Sequence, residues 1–387
     1  MPLSGSGRAR STYINRTSKS LRSAFTVLVA ASLHLSSVAA VQAEERMVIG
    51  LGPCSLGGGW FQIRHDASAG FVSAGWGRIP WPAYNLTGGG LHLAAGDVDG
   101  DGRDELVAGL GSGSNGWFAV FDDASHGFAL LRWIQIAWPG YNFANGEVWP
   151  AAGDLDGDGR AEIVAGLGDG GGGWLEMFND ASSNFAHVAW RRTGWETYNV
   201  FGSGAVHPAI GNVDGFGDGE IVLGLGEAGA GWLEVLGGFG TGFAHRAWFQ
   251  VPWPSYNFSN GTTFPAAGDI DGDGRAEVVI GLGETGGGWL IVTDDAASGF
   301  ATLRLLRVSW PEYNFANGET HPAVGSVDAD ARAEIVVGLG QLSGGGGWFE
   351  TFDDGATGNA SLGWRRADWL AFQLDGGATY PAVGRFR

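Results

Sequence analysis

Short apolar runs separated by glycine-rich turns follow one another along most of the chain. Within one such stretch, residues 163–167 are apolar on both faces, residues 174–178 form a second run and residues 185–190 a third. The small residues 150–153 precede them as a further extended segment. No convincing helical period accompanies these runs, so the pattern predicts about four short β-strands.

The four-strand pattern repeats six times. Each unit contains Gly-Leu-Gly, then a glycine-rich turn and a tryptophan, and successive tryptophans lie 57 to 59 residues apart. Four strands repeated at this spacing predict an all-β fold, a six-bladed β-propeller of four-stranded blades. The predicted repeat units are residues 47–93, 94–150, 151–208, 209–265, 266–322 and 323–381.

The two ends of the repeat region complement each other. The first unit begins at Met47, inside a blade, and lacks the small-residue strand that opens the other units. Residues 380–385 match that missing strand. We therefore predict that a closing segment, residues 378–387, supplies the inner strand of the first blade and closes the ring, which leaves no open sheet edge.

The first 43 residues differ from the rest. They contain five basic residues and no acid, then an apolar run at residues 24–31 and small residues up to Ala43. This order predicts a signal peptide at residues 1–43 and a single propeller domain at residues 44–387. We expect a protein that is secreted, periplasmic or at the cell surface, with an uncleaved anchor as the alternative. No other segment is apolar enough to span a membrane.

The charge and the cysteine content further limit the class of protein and the partners that it can have. The chain has a formal net charge of −19, and without its first 43 residues it has 17 basic against 41 acidic residues. Such a surface makes nucleic acid an unsuitable partner, because phosphate binding needs clustered Lys and Arg. Cys54 is the only cysteine. An exported chain without disulfides must be held together by core packing and metal.

Residues 154–162 place four carboxylates and two glycines within nine positions. Near copies occur at residues 97–105 and 269–277. Oxygen ligands at alternate positions, with glycine where the chain turns sharply, suit a hard cation such as Ca²⁺. Recurrence at matching repeat positions favours calcium binding over a solvated acidic turn.

The loop Asp-x-Asp-Gly-Asp-Gly-Arg-x-Glu, preceded by Ala-Ala-Gly and followed by Ile-Val-x-Gly-Leu-Gly, resembles the FG-GAP or VCBS-type repeat. That repeat builds the propeller of integrin α-subunits and of many exported bacterial proteins. The resemblance covers roughly residues 47–387. It implies the fold and structural calcium, but not one function, since the fold occurs in adhesion modules, lectins and some lyases. Six units replace the seven of integrins.

The resemblance implies about three structural Ca²⁺ sites, with ligands at loop positions one, three, five and nine and a backbone carbonyl at position seven. The implied ligand residues are Asp97, Asp99, Asp101, Arg103 and Glu105; Asp154, Asp156, Asp158, Arg160 and Glu162; and Asp269, Asp271, Asp273, Arg275 and Glu277. Two further loops are degraded, with Phe216 at position five of one and Ser326 at position one of the other. We expect weak or absent metal at their remaining polar residues, Asn212, Asp214, Asp218, Glu220, Asp328, Asp330 and Glu334.

A second repeated motif, Trp-Pro-x-Tyr-Asn and its variants, is aromatic and is not part of the general repeat. Tryptophan and tyrosine beside an amide can bind a sugar, with the ring against an apolar sugar face and the amide at the hydroxyls. The same residues can instead pack between blades. The candidate sugar-binding residues are Trp81, Tyr84, Asn85, Trp138, Tyr141, Asn142, Trp195, Tyr198, Asn199, Trp253, Tyr256, Asn257, Trp310, Tyr313 and Asn314.

Three functions follow as hypotheses. The first is a secreted, calcium-binding binding or adhesion module with an extracellular protein or glycan ligand, and the second is a multivalent lectin that uses the aromatic motif. The third is a polysaccharide lyase or hydrolase. No catalytic residue is assigned: His207 and His321 occupy a position held by Trp149 and Phe264 in other units, which indicates a bulky packing position. We favour a binding module over an enzyme.

Overall fold

The computed structural model describes residues 45–328, 330–342 and 346–387. The predicted signal peptide lies outside the described residues. Six antiparallel sheets of four strands each form the blades of a β-propeller. Their inner strands contact one another in a closed cycle, each touching the inner strand of the blade before and after it. The predicted fold class is therefore confirmed.

The first three blades have the following strands. Blade 1 consists of β1 (Arg46–Leu51), β2 (Trp60–His65), β3 (Ser73–Arg78) and the chain-terminal β24 (Thr379–Gly384). Blade 2 consists of β4 (Leu91–Gly96), β5 (Glu105–Leu110), β6 (Trp117–Phe121) and β7 (Leu130–Gln135). Blade 3 consists of β8 (Val148–Gly153), β9 (Glu162–Leu167), β10 (Trp174–Phe178) and β11 (His187–Arg192).

The other three blades repeat this order. Blade 4 consists of β12 (Val206–Gly211), β13 (Glu220–Leu225), β14 (Trp232–Leu236) and β15 (His245–Gln250). Blade 5 consists of β16 (Thr263–Gly268), β17 (Glu277–Leu282), β18 (Trp289–Thr293) and β19 (Thr302–Arg307). Blade 6 consists of β20 (Thr320–Gly325), β21 (Glu334–Leu339), β22 (Trp348–Phe352) and β23 (Ser361–Arg366).

Short helices connect consecutive blades, where the sequence indicated irregular chain. They are α1 (Pro82–Leu86), α2 (Pro139–Ala144), α3 (Glu196–Phe201), α4 (Pro254–Ser259), α5 (Pro311–Ala316) and α6 (Leu370–Leu374). Four of them begin with proline, whose fixed φ suits the first helical position. Sequence periodicity did not predict them, because each spans less than two turns. Among the described residues, no helix has the length and apolar character needed to cross a membrane.

The second strand of each blade is buried on both faces, as its apolar pattern predicted; β5 and β9 are buried throughout. The first glycine of Gly-Leu-Gly lies in this strand, where the next blade comes closest. A Cβ atom on Gly109 would collide with the backbone carbonyl of Val148 in blade 3. Glycine at this position therefore lets adjacent blades approach backbone to backbone.

The two ends of the described chain close the ring. Strand β24 pairs antiparallel with β1 over its whole length, from Arg46 opposite Gly384 to Leu51 opposite Thr379. Phe386, just beyond the strand, is fully buried in the core that blades 1 and 2 share. The predicted closure by the C-terminal strand is confirmed.

The antiparallel order gives the propeller two distinct faces. One carries the acidic loops, between first and second strands, together with the short 3-10 turns between third and fourth strands. We call it the loop face. The opposite face carries the turns after Gly-Leu-Gly and the six connecting helices, and we call it the helix face.

Deleting residues 378–387 should lower the melting temperature sharply, because β1 and the inner strands of blades 2 and 6 all lose their contacts with β24. We expect a drop of about 10 °C or more in calorimetry. A chain shortened by Arg387 alone is the control and should melt close to the parent. An equal melting temperature for the ten-residue deletion would contradict closure by β24.

Candidate functional site

The acidic loop of blade 2 folds around its own carboxylates. Asp97 accepts hydrogen bonds from the backbone N–H groups of Gly100 (2.7 Å) and Gly102 (2.9 Å). Asp99 and Asp101 likewise accept backbone N–H bonds from within the loop. One carboxylate oxygen from each of these three aspartates lies within 4.8 Å of the others. The loops at residues 154–162 and 269–277 make the same bonds.

The glutamate at position nine of each of these loops is buried and bonds to a backbone N–H group of the same loop. Glu105 is fully buried, and its Oε2 accepts the Val98 N–H at 2.9 Å, whereas its Oε1 has no hydrogen-bond partner. Glu162 and Glu277 also leave Oε1 unpartnered. Burial raises the pKa of Glu105 to about 9, and the nearby charge of Asp99 adds to this rise. It raises the pKa of Glu162 to about 8 and that of Glu277 to about 7.

An unpaired buried carboxylate oxygen beside three clustered aspartates is costly unless a cation neutralises it. The donor set is all oxygen, which is the chemistry that Ca²⁺ requires. The three complete loops therefore fit the metal, with the aspartates and the glutamate of each loop as its carboxylate ligands.

The two degraded loops differ from each other. In blade 4, Phe216 at position five is exposed to solvent and offers no side-chain oxygen. The N–H groups of Val213 and Asp214 both donate to the same oxygen, Oε2 of Glu220. In blade 6, Glu334 keeps an unpartnered Oε1, and burial raises its pKa to about 8. The loop of blade 6 thus retains more of the metal-binding environment than the loop of blade 4.

Each acidic loop is also hydrogen bonded to the following blade. The carbonyl of Asp97 accepts the N–H of Ala161 at 2.7 Å, and the carbonyl of Val98 accepts the N–H of Ala181 at 2.9 Å. Equivalent bonds link Asp154 to Gly219 and Leu155 to Phe239. A loop that is ordered in one blade therefore also fixes the next blade in place.

The tyrosine and asparagine of the aromatic motif are buried. Tyr141 donates to the carbonyl of Glu147 at 2.6 Å and accepts the N–H of Gly168 at 2.7 Å, while Asn142 donates to the carbonyl of Ile136 at 2.7 Å. The same bonds form at Tyr84, Asn85, Tyr198, Asn199, Tyr256, Asn257, Tyr313 and Asn314. These side chains join blades through backbone groups, so of each motif only the tryptophan is left to face a ligand.

At five of the six blade interfaces, the motif tryptophan lies beside two tryptophans of the next blade, one opening its third strand and one in its outer strand. Trp133, for example, stands edge-on to both Trp81 and Trp117, with ring centroids 6.2 Å apart. We call these solvent-open sites the tryptophan grooves. The triplets are Trp81, Trp117 and Trp133; Trp138, Trp174 and Trp190; Trp195, Trp232 and Trp248; Trp310, Trp348 and Trp364; and Trp369, Trp60 and Trp76.

Four of the grooves have cavity volumes of about 310, 410, 470 and 440 Å³. The sixth blade interface has Trp253 and Trp289 but Leu305 in place of the outer tryptophan. The groove tryptophans are half-buried or exposed. Of the groove residues, only motif tryptophans were predicted from sequence as sugar contacts, since the two partners of each lie in another blade.

A family model for the FG-GAP-like repeat matches residues 97–165, which include the acidic loops of blades 2 and 3. The same loop recurs, complete or degraded, in blades 4 to 6 of the six-bladed ring. The chain is an FG-GAP repeat β-propeller. No curated protein sequence matches it.

Several solved structures are similar to the FG-GAP propeller in fold alone. The Dos1 propeller shares 12% identity at a TM-score of 0.42, covering 85% of this chain and 72% of that one. The exotype rhamnogalacturonan lyase YesX shares 15% at 0.40, covering 80% and 57%. The rhamnogalacturonan lyase PL11 of Bacillus licheniformis shares 15% at 0.42, covering 83% and 64%. The chain thus spans 57% and 64% of these two lyases, and similarity at this level says nothing about activity.

Six rings close the axis of the FG-GAP propeller. His207 and His321 lie there with four other residues, His92, Trp149, Phe264 and Tyr380, and adjacent ring centroids are 3.5 to 4.7 Å apart. The space among them is only about 80 Å³. Burial lowers the pKa of His207 to about 4. The placement agrees with a bulky packing position for these histidines.

One part of the loop was missed from sequence. The guanidinium of Arg103 pairs at 3.1 Å with Asp123, a buried residue that caps the following 3-10 turn. Arg275 pairs in the same way with Asp295 at 2.8 Å. Blade 4 has lost both members, since Asp218 and Gly238 stand at these positions. This joint loss is the sequence signal that would have revealed the pair.

Without calcium, the propeller should become less stable as pH rises. The buried loop glutamates have pKa values raised above 4.5, so the folded state gives up its protons at higher pH than the unfolded chain does. The stabilisation that the protonated glutamates give to the folded state is therefore lost as the pH rises from about 5 to about 9. With calcium removed by a chelator, we expect the melting temperature to be lower at about pH 8 than at about pH 6. The triple variant E105Q/E162Q/E277Q should lose most of this difference; an unchanged difference would contradict the assignment.

Proposed function

We propose that the protein is a secreted, calcium-stabilised propeller that binds carbohydrate in the tryptophan grooves between its blades. The observation that carries this proposal is the recurrence of a solvent-open tryptophan triplet at five of the six blade interfaces. Core packing alone would bury such rings. Binding sites that repeat around a ring make the molecule multivalent.

Calcium has a structural part in this proposal. About three Ca²⁺ ions occupy the complete loops of blades 2, 3 and 5, on the loop face. Each loop is hydrogen bonded to the blade that follows it, so a bound ion stabilises a blade interface as well as its own loop. At free calcium about 100-fold above Kd, each site would add about 2.7 kcal/mol to the stability of the folded state.

Carbohydrate suits the grooves in size and chemistry. Volumes of 310 to 470 Å³ lie in the range of small-molecule sites. Indole rings offer flat faces to the apolar side of a sugar ring, and their N–H edges remain polar. Each groove would accept one sugar residue, and several occupied grooves on one ring would together gain avidity on a glycan surface by about 10²-fold or more.

An extracellular protein is the second candidate ligand, and a different observation favours it. The residue after the motif asparagine is apolar and almost fully exposed in three helices: Phe143 (91%), Phe258 (95%) and Phe315 (94%). All three lie on the helix face. A row of exposed phenylalanines on one face is typical of a protein-binding surface.

A glycan array with the fluorescently labelled protein tests the proposal. We expect binding to a defined set of glycans, and Trp138→Ala or Trp195→Ala should each remove one site and weaken retention by about tenfold or more. Phe143→Ala is the matched control, since this ring is exposed on the same face but lies outside the grooves. The proposal fails if the parent binds no glycan, or if only the phenylalanine variant loses binding.

A further inference from the structure

The residue beneath each tryptophan groove divides the grooves into two classes. It lies two positions after the tryptophan that opens the third strand, and it pairs in register with the outer-strand position of the groove. Four grooves have an amide or carboxylate here, fully buried in each case: Gln62, Glu176, Glu234 and Glu350. The fifth groove has Ala119 here, and the sixth interface, where Leu305 replaces the outer tryptophan, has Ile291. We call these two sites the apolar grooves.

A second position changes together with the first. In the four polar grooves, the residue before the motif tryptophan donates its backbone N–H to the buried side chain. Ala137 donates to Glu176 at 2.9 Å, and Gly194 to Glu234 at 2.9 Å. Ser309 and Asp368 make the same bond to Glu350 and Gln62. In the two apolar grooves this residue is Pro80 or Pro252, which has no N–H to donate.

A third position, at the start of the outer strand, follows the same division. His187 Nδ1 lies 2.9 Å from Glu176 Oε1, and His245 Nδ1 lies 3.0 Å from Glu234 Oε1. Ser361 and Ser73 make the equivalent bonds to Glu350 and Gln62. The apolar grooves have Leu130 and Thr302 here. Three positions on two blades therefore change as a set.

Linking two blades does not account for the whole set. The backbone bond uses only one oxygen of each carboxylate. In Glu176 and Glu234 the second oxygen bonds a histidine, whose side chain is 46% exposed at His187 and 48% at His245. In Glu350 the second oxygen instead accepts from the hydroxyls of Ser309 and Ser361. When the imidazole is neutral, a carboxylate that accepts from Nδ1 holds the proton there and leaves Nε2 as an acceptor. These rings lie 6.3 and 5.9 Å from Trp190 and Trp248 of their grooves.

We propose that the four polar grooves are the sugar sites, and that His187 and His245 each accept a hydrogen bond from a sugar hydroxyl. The grooves over Ala119 and Ile291 do not bind sugar with comparable affinity. This inference rests on the proposed function and adds its stoichiometry and its hydroxyl-reading residues. A sugar stacked on Trp190 or Trp248 would present its hydroxyls beyond the edge of the indole, and a histidine ring lies about one ring width away, at 6.3 and 5.9 Å.

Native mass spectrometry with the methyl glycosides of galactose, glucose, mannose and N-acetylglucosamine tests this inference. We expect at most four tightly bound sugars per chain for the best of these probes. The double variant H187A/H245A should bind two fewer, and H187Q/H245Q should regain part of the loss because an amide oxygen can also accept. Thr302→Ala, at the same strand position in an apolar groove, is the control and should keep all four.

The outcomes separate the two levels of the proposal. Five or six equivalent sites, or unchanged stoichiometry in H187A/H245A, would overturn the division into polar and apolar grooves and leave the lectin proposal standing. If none of the four probes binds, this inference is overturned. If the glycan array is also negative, the lectin proposal is overturned as well. A merely structural role for the histidines predicts a lower melting temperature with unchanged stoichiometry, which also contradicts the inference.

Discussion

The close approach of neighbouring blades is the constraint on which the rest of the propeller depends. A side chain on Gly109 or Gly166 would strike the backbone of the next inner strand, so main chains meet at this point, beside the hydrophobic core that the two blades share. Apolar packing is not directional and does not by itself fix the register of the blades. The motif tyrosines, the acidic loops and the buried glutamates supply that register, because each bonds to the backbone of an adjacent blade.

These links leave the two faces with different properties. On the loop face, buried glutamate oxygens without hydrogen-bond partners lie beside clustered aspartates, a set of donors that would suit a structural metal ion. On the helix face, the same blade interfaces open into aromatic grooves, where the motif tyrosine hydroxyl and the asparagine amide N–H already bond to backbone carbonyls. The groove tryptophans remain partly exposed. The proposed calcium sites and the proposed sugar sites thus lie at opposite ends of the same interfaces.

Much of this architecture could be predicted from the sequence, because repetition is visible in it. Six Gly-Leu-Gly units gave the blade count, and the match of residues 380–385 to the missing strand gave the closure. The grooves could not be predicted, since each combines a tryptophan of one blade with two of the next. The pairing of Arg103 with Asp123 could not be predicted either, because the two residues are 20 positions apart. Asp123 lies in a turn that the sequence indicated only as a connection between strands. The spacing of the repeats predicts the order of the strands. Which side chains meet across neighbouring blades can be seen only in the three-dimensional structure.

The central claim is that ligands bind in the tryptophan grooves on the helix face, while calcium binds to and stabilises the loops on the loop face. Hydrogen–deuterium exchange of the calcium-loaded protein, with and without a glycan selected from the array, tests it most directly. The account predicts slower exchange in α2 and at the starts of β10 and β14 when the glycan is bound, with the acidic loops unchanged. Protection confined to residues 97–105, 154–162 and 269–277 would contradict it and place the ligand on the metal.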